Sequence, residues 1–170
     1  MIRTAIVALG GNVGDVAGRM RTALAELGAT RASRLYRSRP MYLTDQPPFL
    51  NAVALVPTAE GPLDFLRRLK AAEAAAGRIA RERNGPRELD LDLVALDDLV
   101  VEGSDLVLPH PRLAERRFVL LPLVDLLPFW SHPATGDGVN DLLRRTADQA
   151  DDLEPLPDAL LQVPSPRPVR

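Results

Sequence analysis

A chain of 170 residues, 46% of them hydrophobic and with net charge −2, can fill one full core but carries no basic excess to suggest nucleic acid. It has no cysteine, which excludes disulfides and thiolate-held zinc or iron–sulfur centres and fits the cytosol. The apolar opening MIRTAIVALGGN is too short for a signal peptide, and no run is long enough to span a membrane.

Ile2–Leu9 is almost continuously apolar and reads as a buried strand that ends in a Gly10-Gly11-Asn12 turn. Asp15 can cap a helix whose apolar residues Met20, Ala23, Leu24 and Leu27 repeat at helical spacing, with Gly28 as its stop. Thr30–Tyr36 is a poor strand by pattern. The following RSRPMYLTDQPP has three prolines and no period, so it reads as a long loop. Phe49–Val56 reads as a strand with Phe49, Asn51 and Val53 on one face. Phe49 and Asn51 could stack on and hydrogen-bond a flat polar heterocycle, or be a core Phe beside a surface Asn. Pro62 opens a second helix with an apolar stripe of Leu63, Leu66, Leu69, Ala72 and Ala76, ended by Gly77. Glu73 lies near the C-terminus of that helix, where an acid is unfavourable without a partner such as Arg78 or a ligand.

The next stretch, RIARERNGPRELDLD, carries the most chemistry. Arg78, Arg81, Arg83 and Arg87 crowd into ten positions, in a chain whose only lysine is Lys70. In the strand after them, Leu89, Leu91, Leu93 and Ala95 fall on one face, and Asp90, Asp92, Val94 and Leu96 on the other. The two carboxylates therefore point the same way, with Cα atoms about 6–7 Å apart. An Asp-x-Asp on a strand is more often a solvated face. Placed beside a basic loop it suits a hard dication with a polyphosphate, since Mg²⁺ commonly takes one or two carboxylates plus phosphate oxygens. Asp97-Asp98 turns into Leu99–Val101, read as a hairpin return. His110 sits between Pro109 and Pro111, which fix where it points. Arg112–Leu127 is an apolar helical stretch interrupted at Pro122, and Val139–Ala147 a last short helix. From Asp148 the chain is acidic and then rich in proline (Pro164, Pro166, Pro168), as a tail draped on the surface would be.

Five pieces in order are ALGGN, YRSRPMYLTDQPPFLNAV, the Glu73…Gly77-Arg78 helix end, GPRELDLDLVAL and LPHPRLAERRFVLLPL. Together they resemble the 6-hydroxymethyl-7,8-dihydropterin pyrophosphokinase family over roughly residues 1–145. The resemblance implies an α+β fold: a ferredoxin-like sandwich with a mainly antiparallel sheet and helices packed on it. It implies a domain over residues 1–147, with 148–170 as the tail. It also implies transfer of pyrophosphate from ATP to the pterin hydroxymethyl group, with release of AMP, in folate biosynthesis.

By the same resemblance Asp90 and Asp92 are ligands of two Mg²⁺ ions. Glu73, Arg78, Arg87, His110 and Arg116 lie on the ATP side. Arg78 and Arg81 act in catalysis from a loop expected to be mobile without ligand. Phe49 and Phe118 sandwich the pterin, Asn51 with groups near Ser38 and Met41 forms its hydrogen-bonding edge, and Asn12 lies near it. Three features depart from the family pattern. Asn84 and Pro111 stand where aromatics are common, and the arginine loop is slightly short, leaving Arg81 and Arg83 as rivals for the second loop cation. A different Asp-x-Asp phosphotransferase and a ferredoxin-like regulatory or RNA-binding module are the competing functions. The expected partners are the two small substrates, with no nucleic acid or membrane. A cytoplasmic monomer is the favoured state.

Overall fold

The structure, a computed structural model, describes residues 1–160. The apolar opening run forms β1 (Arg3–Gly11), which pairs antiparallel with β4 (Phe49–Thr58) on one side and β5 (Asp90–Leu96) on the other. β3 (Arg34–Ser38) extends the sheet beyond β4, the short β2 (Arg31–Ala32) also pairs with β4, and β8 (Leu153–Leu160) is the far edge. The strand order is β5-β1-β4-β3-β8.

Helices α1 (Val16–Leu27) and α2 (Pro62–Ala75) cover one face, and α3 (Arg117–Leu126) and α4 (Val139–Arg145) the other. Period-two alternation divides the core. Ala5, Val7 and Leu9 of β1 and Ala52, Ala54 and Val56 of β4 face Met20, Leu24, Phe65 and Leu69. Ile6, Ala8, Val53 and Leu55 face Leu120, Leu123 and Val139. Each large apolar side chain buried this way contributes about 1.5–3 kcal/mol. The β1-α1-β3-β4-α2-β5 path with order β5-β1-β4-β3 is the ferredoxin-like arrangement the resemblance implies.

Capping follows the sequence. The Asp15 side chain accepts from the Gly18 N–H, and Gly28 (φ 73°) and Gly77 (φ 87°) take the left-handed conformation that glycine adopts at least cost. Several local expectations change. The register of β5 on β1 slips between Ile6 and Val7, whose partners are Ala95 and Leu93, so Val94 is the extra residue of a bulge. Past it the alternation inverts: Ala95 joins the α3 face and Leu96 the α1/α2 face. On α2 the buried positions are Phe65, Leu69 and Glu73, one turn apart, while Leu63 is exposed. Pro122 does not interrupt α3, which runs through it with Pro122 buried. The segment after Asp97-Asp98 does not return onto β5. Its strand β6 (Val101–Glu102) pairs with β7 (Val107–Leu108) in a separate two-stranded sheet. β8 begins in the expected tail, so a boundary at 147 does not coincide with the end of the sheet. Pro164, Pro166 and Pro168 lie outside the described residues.

Candidate active site

Where β1 ends, strand pairing aligns four residues in one row across the sheet. Gly10 opposes Asp90 on one side and Asn51 on the other, and Asn51 opposes Tyr36. Directly opposed residues share a face. Gly10, with no side chain, leaves the floor open between a carboxylate and an amide. Asp92 lies in the next row, opposite Ala8. Above this floor opens a cavity of about 470 Å³. Its wall includes Asp90, Asp92, Arg78, Arg87, His110, Arg116, Ser38, Met41, Phe49, Asn51 and Phe118, eleven of the residues singled out in the sequence.

The two carboxylates differ. Asp90 Oδ1 accepts from Arg78 Nη1 at 2.8 Å and Oδ2 from Arg87 Nη1 at 3.2 Å. Burial opposes its ionisation, but Arg87, Lys70 and Arg78 outweigh burial and hold its pKa below the ordinary carboxylate value. Asp92 has only looser neighbours, Lys70 Nζ at 3.9 Å and Arg116 Nη1 at 4.0 Å. Burial, and then the charge of Asp90, push its pKa up to about 6. Two acids held together among four cations are poised for a further positive ligand. Among the described residues no three His, Asp or Glu side chains converge into a metal cage. The donor set therefore fits a dication that keeps most of its oxygen ligands from water or phosphate, as Mg²⁺ does.

Glu73 and Lys70 serve this site from behind. Glu73 is 4% exposed, and its Oε1 accepts from the Leu91 N–H at 2.7 Å and from Lys70 Nζ at 2.9 Å. Its Oε2 accepts from Arg78 Nη1 at 2.6 Å. Lys70 also donates to the Leu91 carbonyl at 2.9 Å. The free edge of β5 is thus capped by one acid and one base from α2, which satisfies backbone groups that would otherwise be orphaned. This is the partner that the unfavourable place of Glu73 near a helix C-terminus called for.

His110 is anchored by its backbone N–H, which donates to the Val94 carbonyl at 2.8 Å. Its Nδ1 accepts from the Arg112 N–H at 3.1 Å, so Nε2 carries the proton of the neutral ring. Burial, with Arg116 and Arg112 nearby, lowers its pKa to about 4. At neutral pH it is an uncharged donor.

On the other side of the cavity, Asn51 Nδ2 donates to Ser38 Oγ at 2.7 Å, which leaves Oδ1 as an acceptor without a donor among the described residues. Arg87 lies over the Phe49 ring at 5.7 Å, and Arg116 over the Phe118 ring at 5.7 Å. Asn12 does not line the cavity. Its side chain donates to Gln46 Oε1 and the Pro47 carbonyl and accepts from the Arg87 N–H, tying the 39–48 loop to the arginine loop.

A family model described as 7,8-dihydro-6-hydroxymethylpterin-pyrophosphokinase matches residues 6–128. The chain belongs to this pyrophosphokinase family. It is 37% identical over 147 residues to a 2-amino-4-hydroxy-6-hydroxymethyldihydropteridine pyrophosphokinase of Synechocystis, covering 83% of this chain and 75% of that one. It is 38% identical over 153 residues to the folic acid synthesis protein fol1 of Schizosaccharomyces pombe, covering 86% of this chain and 21% of that protein. Among solved structures, Plasmodium falciparum HPPK-DHPS wild type with pteroate is similar at TM-score 0.72 and 14% identity. That similarity covers 89% of this chain and 45% of the other, and speaks to the fold alone. The chain thus spans about a fifth of the fungal relative and under half of the Plasmodium chain.

In this chain the arginine loop is tied down by charge. Arg81 Nη2 lies 2.7 Å from Glu88 Oε1, and Arg81 Nη1 donates to Glu88 Oε2 at 2.9 Å. The Arg81 hydrogen bonds, opposed by burial and helped by backbone donors, hold the Glu88 pKa down at about 2. The counter-charges come from Glu73, Glu88 and Asp90. Arg81 and Arg83 line a second cavity of about 500 Å³ that shares Lys70, Arg78, Asn84 and Arg87 with the first. Asn84 has φ 60°, and Asn tolerates that left-handed conformation better than a bulky aromatic.

Six further wall residues, Gly10, Arg39, Tyr42, Gln46, Lys70 and Asn84, were not singled out as site residues from sequence. Lys70 stood out as the only lysine, but its reach across to β5 depends on the fold. Tyr42 and Gln46 sit in a loop without periodicity. Tyr42 carries Arg112 over its ring at 4.4 Å, and Gln46 donates to the Asn84 carbonyl at 2.8 Å.

Proposed function

We propose that this chain transfers the pyrophosphoryl group of ATP to the hydroxymethyl oxygen of 6-hydroxymethyl-7,8-dihydropterin, releasing AMP, in folate biosynthesis. One observation carries the reading: an acid pair ringed by four cations shares a single cavity with two phenylalanines and a buried asparagine. Family membership agrees with it. Transfer of this kind needs positioning and charge neutralisation more than covalent chemistry. Phe49 and Phe118 offer two aromatic faces for a flat ring. Asn51, with Nδ2 held by Ser38, presents Oδ1 to a ring N–H. Arg78, Arg87, Arg116 and Lys70 face the triphosphate, and the guanidinium groups supply planar donors to non-bridging oxygens. His110 adds a neutral N–H from Nε2. Asp90 and Asp92 would hold Mg²⁺, two ions in this reading, which when bound neutralise the phosphate oxygens as a Lewis acid. A cytoplasmic monomer is part of this reading, and the cysteine-free composition suits the cytoplasm.

The test is incubation with ATP, Mg²⁺ and the reduced pterin alcohol. AMP and the pterin diphosphate are expected, and only when all three components are present. ADP as the nucleotide product, or no pterin-dependent turnover, would overturn the reading.

A further inference from the structure

The segment after α4 reads as a tail in the sequence and lies beyond the stretch that the family model matches. In the structure it ties together two parts of the cavity wall. The 3₁₀ turn Ala147–Asp152 is exposed except at Gln149, which is half-buried. Gln149 Nε2 donates to the Glu115 carbonyl at 2.8 Å, and its Oε1 accepts from the Arg117 N–H at 3.2 Å. One amide thus spans Arg116 and holds the peptide group on each side of it.

Those peptide groups need a holder. Arg116 is extended (φ −112°, ψ 92°) between the 3₁₀ turn Leu113–Glu115 and α3, so it belongs to neither helix. Its side chain does not cap α3, and the first N–H groups of a helix have no intrahelical partner. Gln149 supplies an acceptor for the first of them from 32 residues away. The Arg117 side chain fastens the same joint, with Nη1 donating to the Leu143 carbonyl at 3.0 Å. Just past Gln149, the Asp152 carbonyl accepts from the Arg39 N–H at 3.0 Å, and Leu153 pairs with Ser38. Packing alone does not fix this joint. Met41, Phe118, Gln149 and Leu153 line a cavity of about 130 Å³. Side chains beside a void lack partner atoms on that side, so hydrogen bonds must hold what contact does not.

We propose that Gln149 is a positioning residue that sets Arg116 and Phe118 on the wall of the main cavity, so that the segment after α4 belongs to the site. Gln149 is not among the residues lining that cavity and acts through the backbone at 115–117. The proposal rests on the pyrophosphokinase reading only for the identity of the ligands.

Two variants of the full chain test it. Gln149→Met keeps the length of the side chain and removes both hydrogen bonds. Gln149→Glu keeps the acceptor for the Arg117 N–H, at a helix N-terminus that favours negative charge, and loses the donor. Both are studied at a temperature where circular dichroism shows them fully folded. In hydrogen exchange of the ligand-free protein by NMR, the Arg117 amide should exchange about tenfold faster in Gln149→Met, with the amides of α2 unchanged and protection regained in Gln149→Glu. In steady-state kinetics, Gln149→Met should lose about tenfold in kcat/KM for both ATP and the pterin, with partial recovery in Gln149→Glu. An unchanged Arg117 amide would overturn the clamp. A faster amide with wild-type kinetics would overturn the positioning role. If the wild-type chain makes no AMP, the activity reading fails by itself. The exchange measurement still decides the clamp. The affinity of Gln149→Met for Mg²⁺ with a non-hydrolysable ATP analogue then decides the positioning, with weaker binding than wild type supporting it and equal binding against it.

Discussion

The acid pair is asymmetric, and its two members should respond differently to the same change. Asp90 is hydrogen-bonded to two arginines, whereas Asp92 is held at a raised pKa by burial and by Asp90. Asp90→Asn and Asp92→Asn should each lower turnover by orders of magnitude, because each removes charge from the proposed metal site. Their effects on the ligand-free protein should have opposite signs. Asp92→Asn relieves like-charge repulsion and should raise stability by about 1–2 kcal/mol after solvent screening. Asp90→Asn leaves Arg78 and Arg87 short of a partner and should lower it. Denaturation midpoints that move the same way in both variants would show that the asymmetry is absent. His110 offers a check by pH. Its folded pKa of about 4 lies below the unfolded value of 6.5, so between these values the unfolded chain binds the extra proton. This contribution therefore lowers stability as pH falls through that window. Asp92, with its raised folded pKa, works in the opposite direction over part of it. His110→Gln removes the first term alone, so urea denaturation from pH 6.5 to 4 should show the variant gaining on the wild type. A constant difference would mean that the His110 pKa is not lowered in the folded state. These members of the candidate site were legible in the sequence because Asp90, Asp92, Arg87 and His110 sit in short, specific strings. Lys70 was not, because its place depends on α2 lying along the free edge of β5.

At the scale of elements, the sheet was legible where pattern is local and lost where pairing is distant. A continuous apolar run identified β1, strand patterning identified β4 and β5, and capping residues identified α1 and the start of α2. The Val94 bulge could not be read, since it is a mismatch between β5 and β1 rather than a property of either strand. β8 was hidden for a related reason. Its acidic, proline-bearing sequence suits an edge, where Pro155 gives up no ladder bond that the sheet needs. Its salt bridge from Arg37 to Glu154 appears only once β3 and β8 are adjacent. One contact between elements bears on the proposed pterin plates. The Tyr36 hydroxyl, on β3, donates to Asp125 Oδ2 of α3 at 2.6 Å, with Tyr36 1% exposed. Burial and then Asp125 push the Tyr36 pKa up to about 12, so the hydroxyl keeps its proton. This bond joins the strand that opposes Asn51 to the helix that carries Phe118. Tyr36→Phe should cost about 1–2 kcal/mol in stability. It should also weaken pterin binding more than ATP binding, because it loosens one aromatic plate against the other. Calorimetry with each ligand separates the cases: equal losses for both, or none, would mean that the clamp supports the core without setting the plates.

For the whole molecule, a net charge of −2 gives ATP no long-range attraction, so capture must rely on the local field of the cavity. That field is mixed. Lys70, Arg78, Arg87 and Arg116 converge on Asp90 and Asp92, and in the ligand-free protein the cations are largely spent on the acids. Free ATP would compete with Asp90 for Arg78 and Arg87 and leave both carboxylates facing phosphate. Mg²⁺ would change the balance in the proposed reading, because a dication held by Asp90 and Asp92 would offset their charge and leave the arginines to the nucleotide. Binding of nucleotide should therefore be coupled to Mg²⁺, and the coupling should appear as stability. A ligand that binds only the folded state, present at a hundred times its Kd, stabilises by about 2.7 kcal/mol. For a chain of this size that raises Tm by about 5–11 °C. The expected outcome is a shift in this range with Mg²⁺ and a non-hydrolysable ATP analogue together, and a small shift with either alone. The same experiment in Asp92→Asn should lose most of the Mg²⁺ dependence, while any residual shift from nucleotide alone persists on the arginines. Added salt should weaken capture only moderately, since the ion pairs lie within a cavity where screening is incomplete. An equal thermal shift with and without Mg²⁺ in the wild type would mean that the acid pair does not mediate nucleotide binding, whatever holds Asp90 and Asp92 in place.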